Sequence, residues 1–148
     1  MKTLALLFLL PAFISPAYAE GDLSRADPVE IVIEMGQVDA KTMFFKPNHI
    51  ELVTGKAYKI VLKNTDTIKH EFAGPELVAR VFTRKVEVLG ADGKMIAEVK
   101  GNVTEIEVAG AGVAEWFIVP VQTGKDISIG CEIEGHREAG MFGTVTIN

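Results

Sequence analysis

The sequence predicts a single all-β domain, a sandwich or barrel of short strands. Nine short runs are either apolar or alternate in polarity, and their length and β-branched content are typical of strands. The connections between them are rich in Gly, Asn and Asp, which supply turn conformations. Neither an internal repeat nor a linker marks a second domain. Many short strands separated by turns favour a sandwich or barrel.

The predicted strands span, in chain order, residues 29–33, 50–53, 58–62, 86–89, 95–99, 104–108, 116–119, 127–129 and 143–147. Residues 91–94 read Ala-Asp-Gly-Lys, which indicates a tight hairpin. Residues 75–85 lack a period of two, and 76–82 could form a short helix or an irregular crossover. We expect the strands to form one antiparallel β-domain.

The N-terminus has the pattern of a secretory signal peptide. Lys2 precedes an apolar run over residues 4–10, and Ala17-Tyr18-Ala19 forms a small-residue cleavage site. The run is shorter than the roughly 20 residues that span a bilayer, so we expect no stable membrane insertion. Residues 1–19 are therefore predicted to be the signal peptide and 20–148 the domain, in a periplasmic or secreted protein.

Charge and cysteine content narrow the function classes. The formal net charge is −5, with acids and bases mixed along the chain, so nucleic acid is not an expected partner. The chain has one cysteine, Cys131, which cannot form an internal disulfide although exported proteins usually pair their cysteines. Cys131 is either an inert buried residue or a functional thiol.

The last connection before the final predicted strand carries a C-x4-H-x4-M motif, formed by Cys131, His136 and Met141. A thiolate and a thioether select copper, and imidazole binds both of its oxidation states. A trigonal His2Cys site with a weak axial Met needs a second histidine. His70 follows a strand and a turn, so it can approach the loop from a neighbouring strand end. Each residue alone would suit a surface or core position, and their joint order favours copper.

These residues resemble those of the cupredoxins, and the resemblance covers essentially the whole mature domain from Phe45-x-Pro47-x-x-Ile50 onward. It implies a Greek-key β-sandwich that holds one type 1 copper ion, cycling between Cu(I) and Cu(II). The C-x4-H-x4-M spacing is closer to that of rusticyanin and auracyanin than to plastocyanin's shorter Cys-to-His gap. The resemblance implies four ligands: His70, Cys131, His136 and axial Met141.

The implied function is one-electron transfer by a monomer that docks with a redox partner protein. The alternative is a periplasmic copper-binding protein for tolerance or delivery, whose partner is a copper donor or acceptor. We expect no enzyme activity, since a nitrite reductase or multicopper oxidase needs more than the three histidines present. A dinuclear copper centre would need two bridging cysteines. If Cys131 is inert, the alternative is a β-sandwich with an adhesion or scaffold role.

Two features depart from the cupredoxin pattern. The residue after the upstream histidine is Glu71 instead of an asparagine that ties the ligand loops together, so Glu71 either does that work or leaves the loops less firmly joined. The loop over residues 131–141, called the ligand loop, is also charged where an apolar docking patch is common. These charges either favour a basic partner or are simply solvated loop side chains. The charged residues are Glu132, Glu134, Arg137 and Glu138.

Other candidate residues carry weaker signals. His49 lies before a predicted strand and is expected to be exposed and not a ligand. Met35 and Met43 could form a second cuprous site with His49, but three distant residues of common type indicate little. Trp116 and Phe117 are expected to pack in the core or at an edge.

Overall fold

The computed structural model describes Leu23 and residues 26–148, which form two β-sheets around one hydrophobic core. The larger sheet has the strand order β2-β1-β4-β9-β6-β7 and the smaller one β3-β11-β10-β5-β8. The predicted signal peptide, residues 1–19, lies outside the described residues. The elements are β1 (Val29–Asp39), β2 (Thr42–Lys46), β3 (His49–Leu52), β4 (Tyr58–Asn64), β5 (His70–Ala73), α1 (Pro75–Arg80), β6 (Val81–Leu89), β7 (Met95–Val99), β8 (Glu105–Val108), β9 (Val113–Pro120), β10 (Gly124–Gly130) and β11 (Phe142–Ile147).

The two sheets are mixed, so the expectation of a wholly antiparallel domain is wrong. β1 pairs with β4 in parallel and β3 pairs with β11 in parallel, while the other pairs are antiparallel. A period of two reports which face of a strand is buried and says nothing about the direction of its neighbour. The chain passes repeatedly from one sheet to the other, which gives the crossing connections of a Greek-key sandwich.

The prediction missed β2 and β5 and confirmed the short helix and the hairpin. β5 begins with the polar residues His70 and Glu71, so its sequence resembles that of a loop and it was not predicted as a strand. α1 has Pro75 in its first turn, where the missing N–H costs nothing, and Glu76 pairs with Arg80 one turn later. In the described part of the chain, no helix is long and apolar enough to cross a membrane.

Three aromatic side chains connect the sheets through the core. The Phe72 ring on β5 lies 5.6 Å from that of Phe45 and 6.3 Å from that of Trp116 on β9, measured between centroids. The buried Trp116 indole donates a hydrogen bond to the hydroxyl of Thr83 at 3.2 Å. Phe117 lies on the other face of β9 with the Lys85 ammonium 4.7 Å above its ring. The expected core packing of Trp116 is thus confirmed, whereas Phe117 lies beneath a surface cation on an inner strand, neither in the core nor at an edge.

Neighbouring strands of the smaller sheet end at one place. β10 lies between β5 and β11, and its last residue, Gly130, is paired with both Ala73 and Phe142. Phe142 is the first residue of β11, so the start of β11 lies beside the end of β10. Ala73 is the last residue of β5, and because this pairing is antiparallel the chain that follows β10 runs beside β5 toward its first residue, His70. The residues that begin β5, follow β10 and precede β11 therefore meet at one edge of the sheet.

Two glycines at this edge should differ sharply in their tolerance of a methyl group. A Cβ at Gly143 would overlap the main-chain oxygen of Asn48, which cannot move without disturbing β3. A Cβ at Gly130 would meet only the guanidinium of Arg137, the far end of a flexible side chain. We expect Gly143→Ala to lower the free energy of unfolding by about 3 kcal/mol and Gly130→Ala by about 1 kcal/mol or less. Urea unfolding of both variants tests this, and a larger loss for Gly130→Ala would contradict it.

Candidate metal centre

Three potential ligands converge where the strands of the smaller sheet meet. The ligand atoms of His70, Cys131 and His136 all lie within 4.8 Å of one another. Nδ1 of His136 is 3.3 Å from Nδ1 of His70 and 3.3 Å from Sγ of Cys131. Ligand atoms about 2.0–2.3 Å from one metal ion in a trigonal or tetrahedral site are about 3.3–3.7 Å apart. The cluster thus has the dimensions of a metal site.

His70 is the most firmly held of the three. It is the first residue of β5, its side chain is fully buried, and its Nε2 lies 3.2 Å from Oδ2 of Asp66. Burial acts to raise the pKa of Asp66, but N–H donors from Thr67 and Ile68, with His70, outweigh it and hold the pKa below its usual range. An ionised carboxylate only accepts hydrogen bonds, so this geometry favours a proton on Nε2, the ring nitrogen that faces Asp66, while Nδ1 faces the cluster.

Cys131 directly follows β10 and is fully buried. Its Sγ accepts a hydrogen bond from the main-chain N–H of Glu71 at 3.3 Å, and the N–H of Ile133 is also directed at it. Burial raises the pKa of the thiol, these two donors oppose the rise, and the carboxylates of Glu71 and Glu132 add to it. The thiol is therefore protonated at neutral pH and loses its proton when a metal binds.

His136 is placed by the turns of the ligand loop. Its N–H donates to the carbonyl of Ile133 at 3.0 Å, and Gly135 before it has a φ of 82°, a conformation that favours glycine. Burial, followed by the proximity of His70, lowers the pKa of His136. The neutral imidazole that results is the form that binds a metal. His136 is partly exposed, so it is the cluster member nearest to solvent.

Met141 is tied to the same loop through its main chain. Its N–H donates to the carbonyl of His136 at 3.0 Å, and its carbonyl accepts from the N–H of Cys131 at 3.0 Å. The side chain is fully buried within the core cluster that also contains Cys131. Gly140 before it has a φ of 103° and lies against the main-chain oxygen of Met43. The axial role of Met141 stays a prediction.

The fold is shared with several solved copper proteins. A multicopper oxidase from Campylobacter jejuni matches with 16% identity, a TM-score of 0.62 and coverage of 82% of this chain and 30% of its own. A copper nitrite reductase from Nitrosomonas europaea matches with 10% identity, a TM-score of 0.65 and coverage of 84% and 51%. A copper-containing nitrite reductase from Thermus scotoductus matches with 12% identity, a TM-score of 0.63 and coverage of 85% and 32%.

The chain has a cupredoxin-like fold. No protein-family model and no curated protein matches the sequence, so the likeness is one of structure at low identity. The predicted Greek-key sandwich is confirmed. The similarity does not distinguish rusticyanin-like proteins from other cupredoxins.

The expectation that the chain is not an enzyme is contradicted, because the similar structures are copper enzymes. That expectation rested on counting histidines in a single chain. The present chain spans between about a third and a half of those structures, so its histidine count cannot be compared with that of a whole enzyme. A low histidine count in one cupredoxin-like domain therefore does not exclude a copper enzyme.

Glu71 joins the segment that contains His70 to the segment that contains Cys131, as the first of the two alternatives for this residue predicts. Its carboxylate accepts the main-chain N–H of Glu132, while its own N–H donates to the Cys131 sulfur. Burial, followed by the charges of Glu105 and Glu107, raises the pKa of Glu71. A carboxylate here thus performs the linking role that the cupredoxin pattern gives to an asparagine.

The charged ligand loop is partly neutralised. Arg137 pairs with Glu132 at 2.6 Å and lies over Gly130, while Glu134 and Glu138 are exposed. The loop therefore presents net negative charge to solvent near His136.

Two site residues, Asn64 and Asp66, were not predicted. Both look like ordinary turn residues in Asn64-Thr65-Asp66, and the only available signal was an acid four positions before His70. Asn64 is buried at the end of β4, and its side-chain amide donates to the carbonyls of Ile68, Val108 and Ala109 at 2.8–3.1 Å. Its Oδ1 accepts the N–H of Asp66 at 2.9 Å. Asn64 thus fixes the turn that leads to His70.

The weaker ligand candidates lie on the first three strands, and the N–H of Met43 donates to the carbonyl of Ala139 in the ligand loop at 2.8 Å. His49 is exposed, as expected, and its Nδ1 is 2.8 Å from the hydroxyl of Thr144. Met35 is buried in the core on β1, and Met43 is on β2, both in the sheet opposite the one that contains His49.

The polarity of the Asn64 amide can be tested with an isosteric change. Asn64→Asp would replace an NH2 donor with a carboxylate oxygen facing three carbonyls, leaving buried acceptors unpaired. We expect the free energy of unfolding to fall by about 2–5 kcal/mol. Asn102→Asp, on an exposed loop, is the matched control and should change stability by about 0.5 kcal/mol or less. Equal losses in chemical denaturation would show that Asn64 does not clamp the turn.

Proposed function

We propose that this chain is an exported mononuclear type 1 copper protein that carries out one-electron transfer. The ligands would be His70, Cys131 and His136, with Met141 as the axial ligand. The observation that carries the proposal is a buried cysteine sulfur next to two imidazole nitrogens, at the place where paired strands meet the ligand loop.

The donor set fits copper in both oxidation states. A thiolate favours the cuprous ion, and imidazoles accept either state. When bound, copper would supply a one-electron couple. The protein's contribution is to keep one arrangement of ligands in both states, since His70 is held by Asp66 and the Cys131 sulfur receives two amide hydrogen bonds. Such outer contacts fix ligand orientation and tune the potential.

The exposure of the ligands indicates where electrons would pass. His70 and Cys131 are fully buried, whereas His136 is partly exposed. The face around His136 is thus the proposed docking surface for a redox partner protein. Because Glu134 and Glu138 lie exposed on the same loop, we propose a basic partner whose association weakens as salt rises.

Copper tolerance or delivery is the second candidate. The observation in its favour is the combination of a partly exposed ligand, His136, with exposed carboxylates on the ligand loop. These groups could receive copper from a donor protein or pass it to an acceptor without a redox partner.

Addition of cupric ion to the purified protein tests the copper site. We expect an intense visible thiolate-to-copper absorption band and a mononuclear cupric signal in electron paramagnetic resonance, because Cys131 would be a ligand. Cys131→Ser should abolish the band by removing the sulfur. His136→Gln should disrupt it, whereas the matched variant His49→Gln should keep it, since His49 lies outside the cluster. A band that survives in Cys131→Ser would sink the proposal.

Deletion of the gene separates the two candidate functions. Electron transfer predicts a slower respiratory electron flux with unchanged growth in added copper, because the lost step is a shuttle. Tolerance or delivery predicts greater sensitivity to copper with unchanged flux. Sensitivity alone, restored by the wild-type chain and not by Cys131→Ser, would reject the shuttle in favour of the second candidate.

A further inference from the structure

Asp66 makes a contact with His70 that the C-x4-H-x4-M motif does not reveal. Its Oδ2 lies 3.2 Å from Nε2 of His70, and the side chains of the two residues are 7% and 0% exposed. The carboxylate therefore reaches the buried ligand from the side opposite the cluster.

The other carboxylate oxygen of Asp66 is also engaged. Oδ1 accepts the main-chain N–H of Thr67 at 2.6 Å and the side-chain amide of Gln37 at 3.2 Å. The main chain of Asp66 is fixed as well, because its N–H donates to Asn64 and its carbonyl accepts the N–H of Ala111 at 2.8 Å. Donors at both oxygens and a pinned main chain hold Asp66 as an oriented anion.

An anion in this position has two chemical effects on His70. It requires the ring proton on Nε2, which leaves Nδ1 free as the lone-pair donor and fixes the ring plane. It also places a negative charge one imidazole ring from the ligand cluster, in a buried region where charges interact more strongly than in water. A negative charge stabilises a divalent cation more than a monovalent one.

We infer that Asp66 is a positioning residue that fixes the tautomer of His70 and biases the site toward Cu(II), lowering its reduction potential. The redox part of this inference rests on the proposed function. The tautomer part concerns the metal-free protein alone, so the two can fail separately.

The tautomer is tested on the metal-free protein by long-range proton–nitrogen NMR correlation of the histidine rings. We expect His70 to carry its proton on Nε2 in both the wild type and Asp66→Asn, because the asparagine oxygen can still accept that hydrogen bond. A proton on Nδ1 of His70 in the wild type, or rapid exchange between the two nitrogens, would overturn the positioning role whether or not copper binds.

The charge is tested by redox titration of the copper-loaded protein. Asp66→Asn keeps the shape of the side chain and removes its charge, so the reduction potential should rise. The ratio of Cu(II) to Cu(I) affinity should fall roughly tenfold to a hundredfold at an effective dielectric of about 20. An unchanged or lower potential would overturn the bias toward Cu(II).

Asp126→Asn is the matched control for loss of one negative charge. Asp126 is exposed on β10, and its φ of 53° is one that asparagine also tolerates. It lies five residues from Cys131 along an extended strand, about 16 Å away, so its loss should leave the potential nearly unchanged. Equal shifts in both variants would show a general charge effect and would also overturn the role of Asp66.

If no copper band forms in the wild type, the proposed function fails while the NMR result still decides the tautomer.

Discussion

The pairing of β10 with both β5 and β11 at Gly130 is the constraint on which the rest of the site depends. Cys131 follows this residue, His70 begins the strand on one side, and Met141 precedes the strand on the other. A shift of one residue in either register would turn the affected side chain to the opposite face of the sheet. The position of the site is thus a property of the sheet, and the loop adds the placement of His136.

A polar cluster inside an apolar core is costly unless every group has a partner. In the described residues, no buried side-chain nitrogen or oxygen lacks a hydrogen bond. Asn64 and Asp66 on one side, and the amides of Glu71 and Ile133 on the other, satisfy the groups around His70 and Cys131. The same contacts that make burial tolerable also fix the orientation of the ligands, so stability and preorganisation have one origin.

Sequence reasoning recovered the parts of the molecule that local pattern encodes. Strands such as β3, β4 and β8 alternate cleanly, and the ligand atoms of His70, Cys131 and His136 lie close together in the fold. The parallel pairings were not predicted, because the alternation of apolar and polar residues does not show in which direction a neighbouring strand runs. β5 was not predicted because it begins with His70, a polar residue that is buried as part of the site. Asn64 was not predicted because the role of a turn residue depends on which distant atoms the fold brings to it. Asp66 was not predicted because an acid four residues before a histidine contacts it only when the turn between them has the right conformation.

The separation of the ligands along the chain has a consequence for how the site comes into being. Cys131 and His136 are five residues apart, whereas His70 and His136 are separated by 66. Contacts of long sequence separation form late, since loop-closure entropy must be overcome before they stabilise anything. The ligand loop can therefore offer sulfur and imidazole to an ion while the sheet is still incomplete, but the second imidazole arrives only when β5 has docked. Binding of a metal ion by all three residues of the cluster would therefore require β5 to be docked beside β10.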